Sequence, residues 1–295
     1  MSWPVFAIVT PSYNQAAFLP KTLESVLSQE GDFGIEYMVK DGGSTDGSVE
    51  ILARFKDMVD SGELPCRCRG VSFRYESGPD GGQYEAINAG FAQTSGEVMA
   101  WLNSDDMYLP GALATVAAVF GQFPQVAWIT SNQIKLNGKG MLVELDTVGP
   151  FPRDMVRRGL YNGRDNRFIQ QESTFWRRSL WDKAGGLDTR YRYAADFDLW
   201  TRFAREADLV LVNTLLAAFR RHGNQKTAVF ERYEREMAPM VTGSSLDRAR
   251  MLASRAMSRV HGLDRISLCG LKAPAVVYCR ETDTWRMRTL RGTRR

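Results

Sequence analysis

Gly96-Glu97-Val98-Met99-Ala100-Trp101-Leu102-Asn103-Ser104-Asp105-Asp106 begins as a mostly apolar run and ends in two adjacent carboxylates. The run Val98 to Leu102 is short and bounded by Gly96 and by polar residues, which is the pattern of a buried strand. Such a strand delivers Asp105 and Asp106 together at its C-terminal end. Two like charges in one small space raise each other's pKa unless a cation offsets them. A hard divalent cation takes oxygen ligands and often holds phosphates too. The competing reading is a solvated loop whose aspartates cap the next helix. The stretch alone does not separate the two.

The same strand-then-polar-loop pattern recurs on the N-terminal side. Phe6 to Thr10 reads as a strand broken by Pro11-Ser12-Tyr13-Asn14-Gln15, followed by Phe18, Leu19, Thr22, Leu23, Val26 and Leu27 at helical spacing. Tyr37 to Val39 is a second strand running into Asp41-Gly42-Gly43-Ser44-Thr45-Asp46-Gly47-Ser48, a turn rich in glycine and helix-capping residues. Val49, Leu52, Phe55 and Val59 mark the next helix. Val71 to Tyr75 is a third strand, Pro79 to Gln83 a loop, and Ala86 to Phe91 a third helix. Strand–helix alternation predicts an α/β fold with a mostly parallel sheet. Ligands in such sheets bind beyond the carboxyl ends of the strands. That rule gathers Thr10, Ser12, Asp41, Asp80 and Asp105 at one edge and favours a site over scattered caps. Neither Gly-x-Gly-x-x-Gly nor a Gly-Lys-Ser/Thr phosphate loop is present, so a bound nucleotide lacks a glycine cradle for its phosphates. A metal ion held by the aspartates could serve instead.

Downstream, a helix runs from Pro110-Gly111 to about Phe120. Val126 to Thr130 reads as a strand, and Gln133 to Val148 as a polar hairpin turning at Asn137-Gly138. Gln170 to Trp176 looks extended, and Arg178 to Lys183 is a short helix ended by Gly185-Gly186. Leu199, Trp200 and Phe203 form a helical stripe, which places Asp196 and Asp198 in a first turn favoured by the helix dipole. Asp196 reads either as a simple cap or as a general base projecting from a rigid helix start. Leu209 to Val212 and Leu215 to Phe219 are two strand candidates. His222 follows them, either a surface histidine or a metal ligand partnered by Asp105. Beyond Ala228 the chain looks helical, with a stripe of Tyr233, Met237, Met240, Met251, Leu252, Ala256 and Val260, and a frayed basic tail from Arg286 to Arg295.

The 295 residues, 44% of them hydrophobic, suffice for one large core. No apolar run reaches the roughly 18 residues of a membrane span, and the start lacks a signal-peptide pattern, so a cytoplasmic protein is expected. Cys66, Cys68, Cys269 and Cys279 fit that compartment as free thiols. Residues 221 to 295 hold 16 Lys and Arg against 7 Asp and Glu, whereas the first 220 residues are net acidic. This basic part is either a solvated helical surface or a contact for anionic lipid at the inner face of the membrane. No nucleic-acid partner is expected, and an oligomer is compatible with the C-terminal stripe.

In order, Val9-Thr10-Pro11-Ser12-Tyr13-Asn14, Val39 to Ser48, Asn103-Ser104-Asp105-Asp106, Ala195-Asp196-Phe197-Asp198-Leu199-Trp200 and Arg221-His222 make up a pattern. From about Phe6 to Thr227 it resembles the inverting glycosyltransferases of family 2. The resemblance implies a GT-A fold over residues 1–227, a Rossmann-like mixed sheet flanked by helices, with a helical, basic C-terminal extension over 228–295. It implies a nucleotide pocket lined by Thr10, Pro11 and Ser12, with Asp41 accepting a hydrogen bond from the base, commonly uracil. Asn103-Ser104-Asp105 occupies the Asp-x-Asp motif, so Asp105 would bind Mn²⁺ or Mg²⁺ on the donor diphosphate, completed by His222. Asp196 matches the catalytic base. Gln83, on the donor side, would reach a sugar hydroxyl. The departures are Asn103 in place of the motif's first Asp, and Ala195 where Glu is frequent. The implied reaction moves a sugar from a UDP-sugar or similar donor to a saccharide or lipid-linked acceptor, in surface polysaccharide or glycolipid synthesis. A nucleotide-sugar-binding module would keep Asp41 and Asp105 but not need Asp196. A glycoside hydrolase would need a carboxylate pair but no metal or nucleotide.

Overall fold

The computed structural model describes residues 3–149, 151–223, 230–258 and 271–291. The first half alternates as the sequence predicts: β1 (Val5–Ser12), α1 (Leu19–Leu27), β2 (Gly34–Asp41), α2 (Ser48–Asp60), β3 (Gly70–Ser77), α3 (Gln83–Ala92) and β4 (Val98–Trp101). β5 (Met107–Tyr108), α4 (Ala112–Gln122), β6 (Trp128–Asn137), β7 (Leu142–Asp146), α5 (Arg153–Arg157), β8 (Phe175–Arg177), α6 (Arg178–Ala184), α7 (Ala195–Glu206) and β9 (Leu209–Arg221) follow. The chain continues through α8 (Phe230–Met237), α9 (Ser245–Ser258), β10 (Lys272–Cys279) and β11 (Thr284–Arg291).

The strands form one mixed sheet in the order β11-β10-β9-β6-β8-β4-β1-β2-β3, with β5 on β9 and β7 on β6. β1 pairs in parallel with both β2 and β4, while β8 lies antiparallel between β4 and β6. Alternation along a strand sends successive side chains to opposite faces. Phe6, Ile8, Val98 and Ala100 pack with α1, α2 and α4 on one face. Ala7, Val9, Met99 and Trp101 pack with α3, α5, α6 and α7 on the other. Gly96 is required where β4 begins: a Cβ there would lie 2.7 Å from the Ala7 nitrogen and 2.8 Å from the Val5 carbonyl oxygen.

The second face holds an aromatic stack. The Trp200 ring lies nearly parallel to Trp101, with centroids 5.7 Å apart and planes at 6°, and stacks on Trp128 at 5.7 Å and 25°. Trp176 meets Trp181 at 5.9 Å and 17°. Through Trp200, α7 is fastened to the strand that ends at the aspartates.

Several elements differ from the sequence reading. The strand at 126–130 and the first arm of the hairpin are one strand, β6, which pairs in parallel with β9. Leu209–Val212 and Leu215–Phe219 are likewise one strand, since the Asn213-Thr214 pair is absorbed by register shifts at Ser131, Asn132 and Ile134. Gln171–Ser173 is a single 3₁₀ turn rather than extended chain. The helical expectation for 228–295 holds for α8 and α9, where Met237 and Met251 are buried, although Leu252 is exposed. It gives way at β10, where buried Ala273, Ala275 and Val276 carry the strand alongside β9 and β11 folds back on it. The basic stretch Arg286 to Arg291 is thus strand; residues 292–295, Val260 and Cys269 lie outside the described residues. Among the described residues no helix is long and apolar enough to cross a membrane.

Candidate active site

The loops after β1 and β2 are built against each other. Asn14, at φ +52, accepts from the Thr45 amide and donates its own amide to Ser44 Oγ at 2.8 Å. Asp46 accepts from the Ala16 amide at 2.8 Å. Asp41 is buried and organises this corner. Its carboxylate accepts from the Gly43 and Ser44 amides, Ser44 Oγ and Ser77 Oγ, at 2.5 to 3.1 Å. Four acceptances are about what a carboxylate can take, so a base would bond Asp41 by exchanging one of them. Thr10 Oγ1 is 3.0 Å from the Tyr37 hydroxyl. Pro11 pairs with Lys40 in the sheet. Ser12 Oγ is buried and has no hydrogen-bond partner among the described residues, an orphan at the edge of the predicted nucleotide pocket. Asp80 lies across from Gly42 and holds the Gly82 amide.

At the end of β4 the two carboxylates part company. Asp105 Oδ2 is 2.9 Å from His222 Nε2, and the Phe18 ring lies 4.4 Å from the imidazole. Asp106 is buried and turned inward, accepting from the Arg220 amide and from Asn103 Nδ2. Burial first, then the charges of Asp105 and Glu172, hold its carboxyl well above the usual range. Asn103 is a hub rather than a free ligand: its Oδ1 accepts from Gln83 at 2.7 Å, and its Nδ2 donates to Asp106 and Gln171. Ser104 is buried, and its carbonyl accepts from Thr22.

Asp196 sits in the first turn of α7. Its Oδ1 accepts from the Phe197 amide at 2.8 Å and from the Tyr233 hydroxyl at 2.7 Å. A cavity of about 690 Å³ has Asp196, His222, Asn103, Gln171 and Glu172 among its walls. Lys135, Arg167, Phe168, Phe230 and Tyr233 line it as well. The sequence-predicted residues therefore fall into two groups. His222, Asn103 and Asp196 share the cavity, whereas Thr10, Ser12 and Asp41 stand at the ends of β1 and β2 outside its walls.

Three residues were missed from sequence. Glu172 is buried in the cavity wall, and desolvation pushes its carboxyl up to about 7, with Asp105 adding to the rise and Lys135 opposing it. Tyr233 and Glu236 come from α8, 37 residues or more beyond Asp196. Glu172 had a weak signal, a carboxylate inside an otherwise neutral run; the α8 pair had none.

Among the described residues no group of three or more His, Cys, Asp and Glu is placed to hold a metal. Asp105 and His222 form a pair. One carboxylate oxygen and one imidazole nitrogen fit a divalent cation whose other ligands are phosphate oxygens and water.

Residues 7–179 match the family described as glycosyl transferase family 2. An uncharacterized glycosyltransferase of Mycobacterium tuberculosis (strain ATCC 25618 / H37Rv) is 33% identical over 223 residues, 74% of this chain and 76% of the relative. A PGL/p-HBAD biosynthesis glycosyltransferase of Mycobacterium bovis (strain BCG / Pasteur 1173P2) is 28% identical over 246 residues, 82% of this chain and 87% of the relative. The structure is similar to S. aureus TarS 1-349 in complex with UDP-GlcNAc, at a TM-score of 0.59 and 15% identity, over 83% of this chain and 68% of that one. It is also similar to the mannosyltransferase PcManGT from Pyrobaculum calidifontis, in complex with GDP-Man and Mn²⁺, at 0.56 and 18%, over 81% of this chain and 63% of that one. A family match over more than half of the chain, and a relative one-third identical across three quarters of both sequences, go beyond a shared architecture: the chain belongs to glycosyl transferase family 2, built on the GT-A fold.

Proposed function

We propose that the protein moves a sugar from a nucleoside-diphosphate sugar to a hydroxyl acceptor by a single inverting displacement. The observation that carries this reading is the common cavity, lined both by Asp196 and by His222, which is bonded to Asp105. A carboxylate base and the pair suited to a diphosphate thus line one space, where an acceptor hydroxyl and a donor diphosphate could meet.

Thr10, Pro11, Ser12 and Asp41 would receive the nucleoside, and the unpartnered Ser12 hydroxyl supports a polar ligand there. Mn²⁺ or Mg²⁺, held by Asp105 and His222, would neutralise charge on the departing diphosphate. Asn103, fixed by Gln83, Gln171 and Asp106, and the backbone of Ser104 hold Asp105 in register for that contact. Asp196 takes the proton from the acceptor hydroxyl as its oxygen attacks the anomeric carbon. Gln83 lies beside Asn103, on the side from which a donor sugar would approach. A UDP-sugar is the donor we favour. The names of the M. bovis relative and of the two structural neighbours support a nucleotide-sugar donor and a glycolipid acceptor. A lipid-linked acceptor also suits work at the inner face of the membrane.

The test is a thermal-shift screen of UDP- and GDP-sugars with and without Mn²⁺, followed by proton NMR of the product formed from the donor that binds. Stabilisation that depends on Mn²⁺ and a product of inverted anomeric configuration are expected. A screen with no stabilising nucleotide sugar, or a product of retained configuration, would overturn the proposal.

A further inference from the structure

The base does not stand on α7 alone. Ala194, at the N-cap position of α7, offers no side-chain acceptor to the helix start. The carboxylate of Glu236 on α8 instead clasps the three amides just ahead of Asp196: Arg192 at 3.0 Å, Tyr193 at 2.8 Å and Ala194 at 2.9 Å. One turn earlier on the same helix, Tyr233 donates its hydroxyl to Asp196 Oδ1 at 2.7 Å. Residues three apart on a helix share a face, so one face of α8 grips both the base and the backbone that aims it. The helix is itself anchored. Met237 is buried with Ala194 and Phe197, and Glu234 pairs with Arg164.

We infer that α8 is part of the catalytic apparatus, with Tyr233 and Glu236 as positioning residues that hold the Asp196 carboxylate and the start of α7 in working geometry. This rests on the reading of Asp196 as the base and extends it to a segment beyond the 7–179 family match. The two residues do separable things. A hydroxyl donating to a carboxylate favours its ionised form and fixes its rotamer. A carboxylate accepting three amides satisfies donors that would otherwise depend on water and stiffens the entry to the helix. Among the described residues, Tyr84 on α3 and Tyr233 and Glu236 on α8 are titratable groups near Asp196. Tyr84 donates to the Tyr193 carbonyl at 2.5 Å, so it holds the same entry from α3.

The test needs no donor. The side-chain carboxyl ¹³C resonance of Asp196, assigned by its loss in Asp196→Asn, is titrated in the unaltered protein and in Tyr233→Phe. The midpoint is expected to move up by about one pH unit, since one strong hydrogen bond to the charged form is removed. Amide exchange at Arg192, Tyr193 and Ala194 is followed in parallel in Glu236→Ala. It is expected to accelerate about tenfold or more relative to the amides of β1. A purely structural α8 would lower the melting temperature in both variants and leave the midpoint in place. An unmoved midpoint in a folded Tyr233→Phe, or unchanged exchange at 192–194 in a folded Glu236→Ala, overturns the inference. If Asp196→Asn keeps transfer activity, the base reading fails whatever these two measurements give.

Discussion

Replacing Glu172 by Gln should make the protein more stable at alkaline pH and leave it nearly unchanged at acid pH. Glu172 is 2% exposed, and burial raises its carboxyl from an ordinary 4.5 to about 7. The folded state therefore holds this proton more tightly than the unfolded chain does. A carboxyl with a raised folded pKa contributes no penalty below its unfolded value, and stability is lost as pH climbs from there through the folded value. The window is thus pH 4.5 to about 7. A gap of two to three units corresponds to about 3 kcal/mol, fully felt by pH 8. The neutral amide of the Glu172→Gln variant has no charge to bury and escapes that loss. Asp106 is raised in the same direction by burial and by its two carboxylate neighbours, so its own loss runs parallel in both proteins and eases slightly once Glu172 is neutral. Urea denaturation at pH 4, 5, 6, 7 and 8, in chelator to remove divalent cations, gives the difference directly. The two stability curves should meet near pH 4 and separate by about 3 kcal/mol at pH 8. Curves that stay a constant distance apart would mean that Glu172 does not titrate between its folded and unfolded forms, and the reasoning would fail.

Asp196→Asn should lower transfer at least about a hundredfold, the usual worth of a positioned base, while nucleotide-sugar binding by calorimetry stays within twofold (roughly, by the same logic of a group acting after binding). Asp105→Ala should abolish the Mn²⁺ dependence of donor binding in the thermal-shift assay; unchanged dependence would exclude Asp105 from the metal site. Trp200→Ala removes a ring shared by Trp101, Trp128, Trp176 and Phe203 and should cost about 3–5 kcal/mol in urea denaturation. A loss under about 1 kcal/mol would show that the stack contributes no more than an exposed aromatic.

Much of this architecture could be read from the chain because its signals are local. A strand pattern gives way to a helical one at each of the first three loops, and the strand ends and loops there carry Thr10, Asp41 and Asp80. The place of Asp196 ahead of an apolar stripe marks it as a cap or a base, and it does lie in the first turn of α7. What was hidden depends on contacts distant in sequence. Asn103 reads in sequence only as a departure from the motif's first Asp, because its partners Gln83 and Gln171 lie 20 and 68 positions away. Tyr233 and Glu236 lie on a polar eight-residue helix whose only message in sequence was amphipathicity. The β10–β11 hairpin followed a helical stretch with no glycine turn between its arms, and its turn rests on Asp283 at φ +50, a conformation the sequence does not flag. The polarity of Asn213 and Thr214 argues for two strands, and β9 is nevertheless continuous because β6 shifts register to absorb the polar pair.

The tryptophan stack has an optical consequence. Five of the seven tryptophans (Trp101, Trp128, Trp176, Trp181 and Trp200) lie within one layer between the sheet and α6 and α7. Indoles at 5.7 to 5.9 Å with near-parallel planes share their excited states rather than emitting singly. The near-ultraviolet dichroism of the protein should therefore carry an exciton signature produced by this layer. Its amplitude depends on the angle between Trp101, at the end of the strand that leads to Asp105, and Trp200, on the helix whose first turn holds Asp196. A label-free optical signal is thus wired to the alignment of the two halves of the site, and a displacement of α7 would change its shape before any melting is seen.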